Sequence, residues 1–332
     1  MRTAGSASGH PESLGFAVSD LLDRRLLFVS GKGGVGKTTI AAALALLSAQ
    51  GGRRTLVCEV DTKGALGSIY EHDYSGFAPR EVMPNLWVMS MDTEDSLREY
   101  LTLNVRLPLV GRFGPLARAL DFVATAAPGV REILTVGKIC YEVRERNYDL
   151  VVVDASATGH IVGQLAAPQA ISELVPMGLV RQQTGWMSDL LGDPAVTGLC
   201  IVATPEEMPV IESIELARRV KSETTVDLAA VIVNRVLPEL FTRSEEALFE
   251  KLCEPEPAQL LAEAAAGDVG PLLAAARLAV TIRRTRAEHL DRLRAEIDQA
   301  VPMLYVPYLF ARSSGQRSLR QVAAGLAAEL GH

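Results

Sequence analysis

Nine consecutive residues constrain this chain more than any others: Gly31-Lys32-Gly33-Gly34-Val35-Gly36-Lys37-Thr38-Thr39. They fit G-x-x-x-x-G-K-[ST], follow the apolar run 26–30, and open a stretch of alanines and leucines. Strand, Gly-rich loop and helix in that order make a phosphate cradle. The glycines let successive backbone N–H groups turn inward on a β-phosphate, and the helix N-terminus adds partial positive charge. Lys37 supplies a point charge, Thr38 a hydroxyl oxygen for Mg²⁺, and Thr39 is placed to reach the α-phosphate. A chance Gly-rich turn is the bland alternative, and the strand and helix on either side weigh against it.

The rest of the chain supplies the fold around that loop. β-rich runs at 26–30, 55–60, 86–91, 150–154, 199–204 and 229–234 alternate with helical patterns. Such alternation predicts an α/β fold with a doubly wound, mainly parallel sheet. Most of the runs are apolar throughout, as strands covered on both faces must be. A last strand at 303–306 leads through Pro307 to a closing helix near Gln316. Between about 92 and 146 the pattern turns helical, broken by Pro108, Gly111, Gly114, Pro115 and Pro128-Gly129. That piece is too long for one crossover and predicts a helical subdomain. Further helical segments are expected at about 175–195 and 241–300, the latter carrying Leu290, Leu293 and Ile297 on one stripe that suits a surface helix packed on the core. Residues 1–25 are expected to be a flexible tail and lead-in, and 26–332 one ATP-binding domain.

Composition narrows the functional classes. At 332 residues, 48% apolar and 22% charged, the chain can bury a core without disulfides or structural metals. A net charge of -7 provides no basic field for nucleic acid. The longest apolar stretch, 40–49, is about half of what crosses a bilayer, and the N-terminal region carries no apolar run of signal-peptide length, so no integral membrane segment is expected. Cys58, Cys140, Cys200 and Cys253 stand far apart, which suits neither a zinc site nor a dithiol switch. Cys58 and Cys200 lie within apolar strand patterns and read as core residues of a protein in the reducing cytoplasm.

Two carboxylates complete the candidate site. Asp154 ends the apolar run 150–153, the position from which a Walker B carboxylate holds the magnesium shell through water. Alone, a strand-terminal Asp is as readily a helix N-cap; the upstream loop favours the metal role. Asp61 ends the strand after the loop's helix, near a sheet switch point, where it can orient or activate an attacking water.

Lys32 at the second loop position marks the deviant Walker A form, and the motifs together resemble the arsenite-pump and tail-anchored-protein-targeting ATPases, anion-transporting ATPases of bacterial paired-subunit type. The segment Asp154-Ala155-Ser156-Ala157-Thr158-Gly159-His160 is similar to that family's second switch, usually D-T-A-P-T-G-H, and the stretch from Thr204-Pro205-Glu206-Glu207-Met208 to Glu212-Ser213 is similar to another of its signatures. The resemblance implies that Lys32 reaches the phosphates of a facing subunit, that Asn234-Arg235 reads adenine, and that a loop starting at Pro307-Tyr308 and ending at Phe310 lies along the base's other side. Asn234 is followed by Arg, Val and Leu, so no N-K-x-D guanine motif is present and ATP is expected over GTP. The sequence also departs from the family. Its first switch is Asp61-Thr62-Lys63-Gly64 instead of D-P-A-[HSN], the second switch has Ala157 for proline, and no cysteine cluster suits zinc or arsenite.

These features lead to an expected function: a dimeric ATPase that binds ATP and Mg²⁺, hydrolyses ATP slowly or only with a partner, and couples nucleotide state to a protein or membrane-protein client. The partner is a second copy or a paralogous ATPase; the alternative is a weakly or non-hydrolysing subunit of such a heterodimer. The client surface is expected between Leu97 and Val143, where Leu101, Leu103, Leu107, Leu109, Phe113, Leu116, Leu120 and Phe122 either line an apolar groove or pack the subdomain. Met177, Trp186 and Met187 are either a lip of that groove or packing, and His160 either a switch residue or a structural histidine.

Overall fold

Side chains on successive residues of β1 (Leu26–Gly31) point to opposite faces, and both faces find apolar cover. Leu27 and Val29 enter one core with Leu44 and Leu326, whereas Leu26 and Phe28 enter another with Ile139 and Ile214. The same alternation places Val57, Val152 and Val202 in the first core and Leu56, Val153 and Ile201 in the second. In the computed structural model, which describes residues 18–60, 64–74, 76–92, 94–96, 99, 130–174, 177–239, 241–310 and 315–331, eight strands form one sheet.

The strands after β1 are β2 (Thr55–Glu59), β3 (Arg80–Met83), β4 (Leu86–Ser90), β5 (Leu150–Asp154), β6 (Thr197–Ala203), β7 (Leu228–Val236) and β8 (Met303–Pro307). Their order is β3-β4-β2-β5-β1-β6-β7-β8. All neighbours run parallel except β3 and β4, an antiparallel pair joined by a tight turn with Asn85 at φ 63°. The expected doubly wound, mainly parallel sheet is therefore present. Strand β3 was not anticipated, because it is a short edge strand with exposed Arg80 and Glu81 and no apolar run to announce it.

Helix α1 (Lys37–Gln50) lies against the first face with α10 (Gln316–Leu330), and the short α2 (Ala65–Ile69) joins that core through Leu66. Because sheet and helices surround it, α1 is apolar on nearly every side and buries Ile40 through Leu46 without exception. The second face is covered by α3 (Val130–Arg144), α4 (Thr158–Leu174), α5 (Leu179–Gly192), α6 (Glu207–Glu223) and the end of α9 (Gly270–Glu296). Leu293 and Ile297 are buried there, with Leu290 packed beside them, so the apolar stripe is the inner face of a helix docked on the core. Helices α7 (Arg243–Leu252) and α8 (Pro255–Ala264) precede α9, and α8 buries no residue.

Residues 18–23 form a 3₁₀ turn whose Leu21 and Leu22 join the first core, so the lead-in to β1 packs on the sheet there. Buried Arg24 secures it, donating to the Thr197 carbonyl at 2.7 Å and to Asp227 at 2.6 Å. Trp186 and Met187 pack rather than form a lip: Met187 is buried, and Trp186 lies under the Arg144 guanidinium at 4.8 Å. Most of the expected client region, including its apolar residues from Leu97 to Phe122, lies outside the described residues; Val143 at its end is core. No helix among the described residues is long and apolar enough to cross a membrane.

Leu44→Ala should destabilise the chain by about 2–5 kcal/mol, since the site is closed on all sides and cannot collapse; urea unfolding with an unchanged denaturant slope checks it. Burial pushes the Cys140 and Cys200 thiols up to about 12, and raises Cys58 and the Tyr70 hydroxyl further. Unfolded chains release these thiol protons from about pH 8.5, before the folded protein does, so stability is full below that point and declines as pH rises toward the folded values. Urea midpoints at about pH 8 and pH 10 should fall in that order. A thiol reagent at about pH 8 should label partly exposed Cys253 well before the other three.

Candidate functional site

The phosphate loop begins where β1 ends, in the middle of the sheet between β5 and β6. A Cβ on Gly31 would stand 2.2 Å from the Val202 carbonyl oxygen, so only glycine lets β1 and β6 approach this closely. Gly34 and Gly36 hold φ of 87° and 97°, a left-handed backbone that other residues rarely adopt. Val35 is buried and anchors the loop, while Gly33 and Gly34 are exposed, with nothing within 4 Å of where a side chain would start. No side chain caps the N-terminus of α1. A bare, glycine-lined backbone arc on an uncapped helix end fits a nucleotide's phosphates.

Lys37, the first residue of α1, donates to the Lys32 carbonyl at 3.3 Å and so lies along the loop. Thr38 and Thr39 follow in the first turn, both partly exposed. Asp154 ends β5, 5% exposed and in register with Val29 of β1 and Glu59 of β2. The Ser30 hydroxyl donates to the Ser156 carbonyl at 2.7 Å, which joins the phosphate loop's strand to the second switch segment. Thr158 starts α4, and His160 in its first turn is exposed. Thr38 on one strand-end helix and buried Asp154 on the adjacent strand are oxygen donors of the kind that suits Mg²⁺.

Asp61 lies outside the described residues, yet both flanks of its loop are held. Fully buried Glu59 accepts from the Leu66 amide at 3.1 Å and also from the Gly64 amide and the Ser90 hydroxyl. Sequence reasoning passed over Glu59; a carboxylate inside the run Leu56-Val57-Cys58-Glu59-Val60 was the available signal, since a charge there needs local donors.

Asn234 and Arg235 at the end of β7 stand beside Pro307 and Tyr308 at the end of β8, linked by the Tyr308 amide donating to the Val236 carbonyl at 2.8 Å. The Asn234 amide nitrogen donates to the Val35 carbonyl at 2.8 Å and would meet a Cβ on Gly36 at 2.5 Å, so this side chain braces the loop itself. Arg235, with φ 60°, is exposed. Tyr308 and Phe310 make an edge-to-face pair, centroids 5.0 Å apart.

Lys32 pairs with Glu212 of α6, whose other carboxyl oxygen accepts from the Thr158 hydroxyl at 3.2 Å. Glu212 fell within a recognised stretch but received no role from sequence; the pairing spans 180 positions and carries no local pattern.

The sequence model of the anion-transporting ATPases matches residues 24–184 and 176–253. ATPase BagA of Mycobacterium tuberculosis is 33% identical over 320 residues, covering 92% of this chain and 90% of that one. The ATPase ASNA1 homologs of Entamoeba dispar and Entamoeba histolytica are 28% and 26% identical over 250 residues, each match covering 64% of this chain and 76% of theirs. The chain belongs to the anion-transporting ATPase family. Like the family, it is an ATPase.

In this anion-transporting ATPase, Asn234→Ala should weaken nucleotide affinity about tenfold by leaving the loop carbonyl of Val35 unanswered. Titration of a fluorescent ADP analogue measures the change; unaltered affinity would remove the bracing role.

Proposed function

We propose that the chain is a Mg²⁺- and ATP-dependent dimeric switch whose nucleotide state sets its hold on a partner or client. The observation that supports this most is the Ser30–Ser156 hydrogen bond, which links the strand that delivers the phosphate loop to the second switch, so a change at one would be felt at the other. Mg²⁺, when bound, neutralises phosphate charge. The Thr38 hydroxyl would hold it directly and Asp154 through water. Lys37 steadies the phosphates from its own subunit and Lys32 those of the facing one, while Asp61 orients the water that attacks in line. Asn234, Arg235, Pro307 and Tyr308 border the adenine; Asn234 would serve it through the loop it braces.

A client would bind the helical subdomain of residues 92–146 in a cytoplasmic protein otherwise made of one ATPase domain, 26–332. Leu260, Leu272 and Leu278, each more than 60% exposed on α8 and α9, add apolar area that a bound protein would cover.

The altered first switch, Asp61-Thr62-Lys63-Gly64, supports an alternative: a weakly hydrolysing subunit completed by a paralogous ATPase. ATP turnover and solution mass, measured together with ATP and Mg²⁺, separate the two. The homodimeric switch predicts a doubled mass, loss of turnover and of nucleotide affinity in Lys37→Ala, and turnover lowered at least about 10²-fold in Asp61→Asn. A monomeric wild type that binds ATP without turnover favours the heterodimeric alternative. Unchanged turnover and affinity in Lys37→Ala rejects both.

A further inference from the structure

Glu212 occupies a position that neither the phosphate loop nor the switch segment needs for its own backbone. It stands on α6, one turn and more beyond the Thr204-Pro205 corner, and presents one carboxyl oxygen to each of two elements. Oε1 receives the Lys32 ammonium, and Oε2 receives the Thr158 hydroxyl at 3.2 Å. Lys32 and Glu212 side chains remain 30% and 27% exposed, so the ammonium is held but still within reach of solvent. The Lys32 carbonyl in turn accepts from Lys37 at 3.3 Å. Among the described residues, then, one carboxylate ties the loop's second residue to the first residue of α4 within a single subunit.

We propose that Glu212 is a positioning residue that keeps Lys32 against its own subunit, and that this hold opposes ATP-dependent pairing of two copies. The second half rests on the dimeric switch proposed above; the first does not. A phosphate and Glu212 are both anions, and a lysine ammonium cannot serve both at full strength. Lys32 must leave Glu212 before it can lie across an interface, and that departure leaves Thr158 as the remaining described partner of the carboxylate. The state of Lys32 is thereby passed to the second switch without any contact between Lys32 and α4. Partial exposure sets the scale: a solvent-accessible ion pair shifts an equilibrium by about two- to five-fold, enough to tune association without blocking it.

The test uses the full chain in wild-type, Glu212→Gln and Glu212→Asp forms. Reductive methylation of Lys32, followed by peptide mass spectrometry without nucleotide, reads the hold directly. Glu212→Gln should raise the Lys32 rate about two- to five-fold, with other lysines unchanged, and Glu212→Asp should return it toward wild type. Equal rates in wild type and Glu212→Gln overturn the proposal, whatever the oligomeric state. Sedimentation with ATP and Mg²⁺ reads the second half: Glu212→Gln should pair at a protein concentration about two- to five-fold lower, while affinity for ADP stays at the wild-type value. Pairing at the wild-type concentration overturns the restraint on assembly. If no form pairs at any concentration, the dimeric switch fails and the restraint with it, while the labelling comparison still decides the hold.

Discussion

Where β1 meets β6 the Val202 carbonyl lies at the point a Gly31 side chain would occupy, and the site depends on that contact being possible. The closeness lets β1 deliver its last residue between two buried neighbours, so the loop leaves the sheet at a fixed height and direction. Asn234 then meets the loop from β7, donating to Val35 and leaving no room for a side chain at Gly36. The phosphate cradle is thus a product of three adjacent strands as much as of its own glycines. Preorganisation of this kind lets backbone dipoles act on a phosphate without first being reoriented.

Three buried charged groups, Glu59, Arg24 and Lys138, are each answered by named hydrogen-bonding partners. Glu59 is fully buried but takes two amides and a hydroxyl, which satisfies it and holds both flanks of the Asp61 loop. Arg24, at the opposite end of the sheet, is buried with Asp227 and the Thr197 carbonyl. Lys138 is answered likewise away from the site, its ammonium between Glu99 and Glu142 at 2.7 and 2.6 Å, and these two bonds outweigh burial and hold its pKa above the usual value. Removing one partner from such a group would strand the other, so these ionic contacts specify geometry more than they add net stability.

Glu212 differs because it is neither buried nor committed to one partner. A carboxylate shared between Lys32 and Thr158 can be redistributed at small cost, whereas Glu59 cannot. Fixed contacts at Glu59, Gly64 and Leu66 thus stand beside an adjustable one at Glu212 within an otherwise well-packed sheet.

The loop 31–39, the strand sequence and the family were legible in the sequence because each rests on local pattern: glycines at fixed spacing, apolar runs of strand length, and a helix start immediately after the loop. Strand β3 was not legible, being short and charged, nor was the docking of residues 18–25, whose two leucines matter only because a core face stands opposite them. Lys32 could be recognised as unusual, yet its partner lies 180 positions away, and nothing in either neighbourhood announces the pairing. Asn234 was placed near the nucleotide by resemblance, but its bond to Val35 became visible only when β7 was set beside β6 and the loop. By itself, the sequence determined the glycine-rich loop after β1, the mainly parallel α/β order and the enzyme class, because near-neighbour spacing encodes them. Only the tertiary structure decided which distant side chains brace that loop and hold Lys32, because those contacts exist only once the sheet has brought remote strand and helix ends together.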